Sequence, residues 1–127
     1  MFKYKTEVKV ATNPIMGLGL FAKEFIPKDS IVWEFIDGVD IRITKEKFDT
    51  LNEAQKEYFY RYTWQKSDGC YYSSCDLTNF INHSNKPNLK IIDDIVIALV
   101  DIEVGDELFE NYGEFDFEFD NYKDTFL

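Results

Sequence analysis

Ten residues, Asn79-Phe80-Ile81-Asn82-His83-Ser84-Asn85-Lys86-Pro87-Asn88, bring together amide, imidazole and hydroxyl groups around two apolar side chains, and His83 is the only histidine in the chain. A histidine beside a serine is raw material for nucleophilic hydrolysis, but the sequence has no Gly-x-Ser-x-Gly elbow to present the serine. A metal centre needs further ligands at fixed spacing, and none follow. The two cysteines, Cys70 and Cys75, match no usual zinc or redox spacing and read as reduced, partly buried thiols. Asn and Ser next to Pro make tight turns by bonding their own backbone. That accounts for Asn85 to Asn88 and leaves Phe80 to Ser84 unexplained. Two other stretches carry similar promise. Gly17-Leu18-Gly19 lets a backbone approach a ligand closely, although it lacks the third glycine of a dinucleotide site and the Gly-Lys-Ser/Thr of a phosphate loop. Glu107-Leu108-Phe109-Glu110-Asn111-Tyr112-Gly113 ends in a tyrosine hydroxyl. Taken singly, the glycines read equally as an ordinary turn and Tyr112 as a core side chain.

The chain that must position these groups has 127 residues, 45% of them apolar and 17% aromatic, enough for one packed domain spanning 1–127. Its formal net charge is -10, with twelve acidic residues after Lys90 against Lys123 alone. Such acidity argues against a direct nucleic-acid partner and suits a basic peptide, while serving solubility in any case. The opening Met1 to Val10 has no apolar core of a secretion signal, and no apolar run is long enough to span a membrane; an intracellular, non-secreted protein is expected, with cytoplasm and nucleus undecided.

Glu7 to Ala11 alternates as a first strand, and Thr12-Asn13-Pro14 breaks it. The glycine stretch runs into a second strand. Ile31 to Ile36 is strand-like. Thr44 caps a short helix reaching Leu51, and Asn52 with Gln55 forms a capping box for a helix over Glu53 to Arg61. Cys70 to Ser73 is a short strand. Leu89–Ile92 and Ile95–Val100 form a hairpin around Asp93-Asp94. Leu108 to Tyr112 is a last strand, followed by the alternating Phe115-Asp116-Phe117-Glu118-Phe119. The fold class is mostly β, a β-rich α+β domain of short strands in several small sheets, with one or two helices inserted mid-chain.

In chain order the three stretches cease to be independent. Gly-x-Gly, then Phe80-Ile81-Asn82-His83-Ser84 with Pro87-Asn88, then Glu107-Leu108 with Tyr112-Gly113, resemble the SET-domain family of protein-lysine methyltransferases. Ile26-Pro27-Lys28-Asp29 is similar to the turn after the family's first motif. The resemblance covers about residues 7–114, leaving 115–127 as a C-terminal aromatic and acidic segment. It is strongest to the minimal viral and bacterial members.

The resemblance implies a C-terminal pseudoknot, in which the chain after Ser84 threads under the Glu107 to Tyr112 loop, and S-adenosylmethionine as cofactor. It places the backbone of Met16, Gly17, Leu18 and Gly19 on the methionine part of that cofactor and Asn82 and His83 along its length. Ser84, Pro87 and Asn88 would hold the knot's turn. Tyr112 falls on the family's catalytic tyrosine, and Tyr60 or Tyr62 on its lysine channel, sharing a face with Trp64 if that segment is extended. No metal is implied. The family's cysteine-rich C-terminal zinc segment is missing, and Phe115, Phe117 or Phe119, with Phe117 first among them, would cover the adenine instead. Glu110 stands where many members carry Phe or Tyr. The implied partner is a basic protein or peptide, a histone tail or another lysine-bearing protein. The aromatic tail leaves a homodimer open.

Overall fold

The computed structural model describes residues 1–11 and 17–114. Ten strands and two helices follow one another as β1 (Thr6–Val10), β2 (Leu18–Ala22), β3 (Ile31–Glu34), β4 (Ile41–Ile43), α1 (Lys45–Asp49), α2 (Glu53–Tyr62), β5 (Trp64–Gln65), β6 (Tyr71–Ser73), β7 (Asn82–His83), β8 (Leu89–Ile92), β9 (Ile95–Ala98) and β10 (Phe109–Glu110). They form four small sheets: β1-β2, β3-β9-β8, β4-β6-β5, and the parallel pair β10-β7.

Local chemistry decides most boundaries. Thr44 accepts from the Lys47 N–H and starts α1. Asn52 and Gln55 exchange side-chain and backbone hydrogen bonds at 2.9 and 3.0 Å, the reciprocal box expected of that spacing, and start α2. Asp93 takes a positive φ of 53° at the tip of the β8-β9 hairpin, a conformation Asp tolerates better than most residues. The helix α2 runs one residue past the expected end, through Tyr62. The first strand sits one residue earlier than expected, and β3 and β9 end two residues sooner. Both cysteines are free, but Cys75 is exposed where partial burial was expected.

One apolar core holds the small sheets together. Leu20 and Ala22 from β2, Val32 and Trp33 from β3, Leu89 from β8 and Val96 and Ala98 from β9 meet Ile26, Ile81, Ile102 and Leu108 from the connections. Each fully buried Leu or Ile contributes about 1.5–3 kcal/mol by leaving water. Ile81 and Leu108 belong to the two candidate motifs, so the core itself anchors them. The segment Glu103 to Leu108 runs beside β2: Ala22 N–H donates to Asp106 at 3.0 Å, and Leu108 N–H donates to Leu20 at 2.8 Å. Phe21 and Glu107 form a bridge there.

Candidate active site

The site is assembled by pairing β7 with β10. Asn82 lies opposite Phe109 and His83 opposite Glu110, in parallel register. Two-residue strands have too few ladder bonds to hold by themselves, and side chains complete the joint. The Asn88 side chain does this twice: its amide donates to the Glu107 carbonyl at 2.8 Å, and its oxygen accepts from the Phe109 N–H at 2.8 Å. The Ser84 N–H donates to the Glu110 carbonyl at 2.9 Å. The Asn88 side chain and the Ser84 backbone therefore lock the Glu107 to Tyr112 segment in place, while the Ser84 hydroxyl accepts from the Lys86 N–H within the turn.

The glycine stretch joins the same cluster. The Asn82 amide donates to the Leu18 carbonyl at 2.8 Å and to Glu107 Oε2 at 3.0 Å. Glu107 lies so close to Gly19 that a Cβ there would sit 2.9 Å from its carboxyl carbon. Gly19 is required because Glu107 occupies the space a side chain would need. Gly17 is required for another reason, its φ of +70°, and among the described residues nothing lies within 4 Å of where a Cβ would stand. Open space beside a bare backbone is what a ligand needs to lie against it.

His83 is buried, and its Nδ1 accepts from the Tyr112 N–H at 3.0 Å. An accepting Nδ1 places the proton of the neutral ring on Nε2. Burial holds the imidazole pKa below its ordinary value, against a smaller opposing hydrogen bond with Asn85. The rings of His83 and Tyr112 are 5.3 Å apart. The Tyr112 hydroxyl donates to the Ile81 carbonyl, which fixes the position of its oxygen. Tyr112 sits in a short 3-10 turn, Tyr112–Glu114, just past β10, and not in the strand expected for it.

Glu110 is the least expected member. It is 4% exposed, and its Oε1 is buried with no hydrogen-bond partner among the described residues. Burial, with the Glu114 carboxylate adding to it, pushes its pKa up to about 8.

Of the expected site residues, Leu18, Gly19, Asn82, His83 and Tyr112 are thus brought into one bonded cluster, with Gly17 at its edge. Met16 and Phe117 lie outside the described residues. Tyr60 and Tyr62 both fall within α2, so the extended segment that would have put them on one face with Trp64 does not form. A strong N-terminal box propagates the helix through them. Tyr60 packs edge-on to Phe48 at 5.2 Å and is 55% exposed, and Tyr62 lies 4.9 Å from Tyr58. Glu107 and Asn88 do more than their motifs imply: Glu107 receives the Asn82 amide, and Asn88 fastens β10 through two side-chain bonds. An acid facing a Gly-x-Gly across the fold leaves no local signal.

Short strands in several small sheets, with a Gly-x-Gly edge, an Asn-His pair and a Tyr on one cluster, define a SET-like fold. The SET domain family model matches residues 17–113, and the chain belongs to that family. Its fold is shared with the crystal structure of Chaetomium thermophilum polycomb repressive complex 2 at a TM-score of 0.64 and 22% identity, covering 87% of this chain and 15% of that one. It is likewise similar to ctPRC2 in an autoinhibited conformation bound to S-adenosylmethionine, at 0.69 and 21% over 94% of this chain and 16% of that one. An active polycomb repressive complex 2 in the basal state matches at 0.66 and 24%, over 87% and 15%. The chain thus spans about a sixth of the length of those chains.

Proposed function

We propose that this chain is an S-adenosylmethionine-dependent protein-lysine N-methyltransferase acting on a basic protein or peptide tail. The observation that carries the reading is the Asn82 amide bridging Leu18 and Glu107, because it fastens the glycine edge to the segment that bears Tyr112. The donor set fits the cofactor. Gly17 offers bare backbone that no described residue covers, and Asn82 and His83 add polar groups on a wall of the same cluster. Met16 and Phe117 are assigned to the cofactor with them.

When bound, S-adenosylmethionine supplies an electrophilic methyl group on a sulfonium. The chain's part is to hold the lysine amine in line with it and to keep that amine neutral. Free lysine has a pKa of about 10.4, so an ammonium must lose a proton on the way to reaction. The Tyr112 hydroxyl, fixed by its bond to Ile81, offers lone pairs to the amine N–H or to the methyl C–H groups. Tyr60 or Tyr62 lines the lysine channel, packing the butyl stem. The net charge of -10 steers a basic tail toward the protein. A threaded pseudoknot is the topology that the β7-β10 pairing supports.

A second reading, a SET-like module that grips basic tails without turnover, is favoured by one observation. A buried carboxyl on β10 can stabilise an ammonium and so hold lysine in its unreactive form. Calorimetry with S-adenosylmethionine tests what both readings share. Stoichiometric binding that weakens in Asn82→Ala is expected, and absence of binding by the intact chain would overturn both.

A further inference from the structure

A carboxyl with a buried, unbonded oxygen costs stability, and Glu110 carries one in the middle of the assembled site. None of its described neighbours hydrogen-bonds that oxygen. On β7 the group opposite is His83, whose Nδ1 already accepts from Tyr112. On β8, which packs against β10, the titratable residue is Lys90, and it is exposed. In the turn that follows, the Tyr112 hydroxyl donates to Ile81, and the exposed Glu114 adds only negative charge. The carboxyl is thus held two residues from Tyr112 with unused hydrogen-bonding capacity, in a site that must receive a cationic side chain.

Resting on the methyltransferase reading, we infer that Glu110 is the proton partner of the substrate lysine: the buried carboxyl and the incoming amine share a single proton, and the carboxyl keeps it during methyl transfer. The balance is simple. An ammonium meeting a carboxylate gives up one N–H proton to a carboxyl oxygen. The freed nitrogen lone pair bonds to the methyl carbon as the carbon–sulfur bond breaks, its electron pair remaining on sulfur in S-adenosylhomocysteine. The new methylammonium and the protonated Glu110 together hold the same three protons that the starting ammonium carried, and the one on Glu110 leaves to solvent before another round. A carboxyl pushed up to about 8 is matched to the task, because its conjugate base is a far better proton acceptor than an ordinary carboxylate.

This scheme fixes the pH profile. The reactive pair forms from ionised Glu110 and protonated lysine, so kcat/KM climbs up to about pH 8 and levels off until free lysine deprotonates at about 10.4. Glu110→Gln fills the same space but cannot take the proton. Its kcat/KM should lack the inflection at about 8 and keep rising toward about 10.4, falling roughly 100-fold below the intact protein at pH 7 and approaching it at the alkaline end. The probe is labelled methyl transfer to core histones and cell-extract proteins. In parallel, carbon NMR of the free protein should find the Glu110 carboxyl protonated at pH 6.

Transfer by the intact protein with no inflection near 8, an inflection retained in Glu110→Gln, or a Glu110 carboxyl ionised at pH 6 would each overturn the role of Glu110 and leave the methyltransferase reading standing. Cofactor binding without transfer to any protein, or no cofactor binding, would overturn both.

Discussion

The Tyr112 backbone N–H donates to Nδ1 of His83 at 3.0 Å, a bond across 29 residues of chain that ties the end of one motif to the centre of another. It fixes the histidine's tautomer and the start of the turn that carries the tyrosine ring. His83 therefore acts as a neutral brace for Tyr112.

That brace is sensitive to acid. The pKa of His83 is lowered from 6.5 by burial, so the folded state binds this proton less readily than the unfolded chain. The stability it supplies is fully present above 6.5 and is lost as pH falls below 6.5 toward the lowered folded value. Protonation of Nδ1 also removes the acceptor for Tyr112. Thermal melts from pH 7 to 5 should show a stability loss that His83→Gln reduces.

Glu110 predicts the opposite slope. Its folded pKa of about 8 lies above its ordinary 4.5, so its contribution is present below 4.5 and is lost as pH rises through about 8. The intact protein should lose on the order of 3 kcal/mol between pH 5 and pH 8 from this group alone. Urea unfolding of Glu110→Gln should show that loss removed.

Tyr112→Phe deletes the hydroxyl and its bond to Ile81 while leaving the backbone bond to His83 in place. Turnover should fall by about 100-fold or more. The calorimetric affinity for S-adenosylmethionine should be unchanged, and stability should drop by only about 1 kcal/mol.

Asn82→Ala removes two hydrogen bonds at once, to Leu18 and to Glu107, and leaves Glu107 Oε2 without its donor. A loss of about 2 kcal/mol in cofactor binding, or roughly 30-fold in Kd, is expected by calorimetry.

Gly19→Ala drives a methyl group to within 2.9 Å of the Glu107 carboxyl carbon. The carboxylate must turn away and break its bond to Asn82, at a cost of about 1–3 kcal/mol. Adding Glu107→Ala should relieve the clash, so the double variant should be more stable than the two single losses sum to. Thermal unfolding of the four proteins checks this.

Local signals in the sequence were readable. The Asn52/Gln55 box, the Thr44 cap and the Asp93-Asp94 hairpin each act within four residues, so their chemistry is written where it operates. The joint between β7 and β10 is not: strands of two residues show no periodicity, and they exist because Asn88 and Ser84 reach residues nineteen or more positions away. The motifs pointed to Asn82, His83 and Tyr112 through family resemblance, not through any pattern of their own. Tyr60 and Tyr62 were read against an extended backbone that helix propagation overrides. Glu110 is one acid among many in the last third of the chain, and only the family resemblance, which sets it where many members carry Phe or Tyr, marks it out; its burial leaves no local pattern.

The most direct measurement is incubation of the purified protein with isotopically methyl-labelled S-adenosylmethionine, core histones and cell-extract proteins, beside the Tyr112→Phe variant. Label on lysine side chains with the intact protein, and its loss with the variant, is the predicted result. Unlabelled lysines in every protein offered, or equal labelling by Tyr112→Phe, would contradict the account.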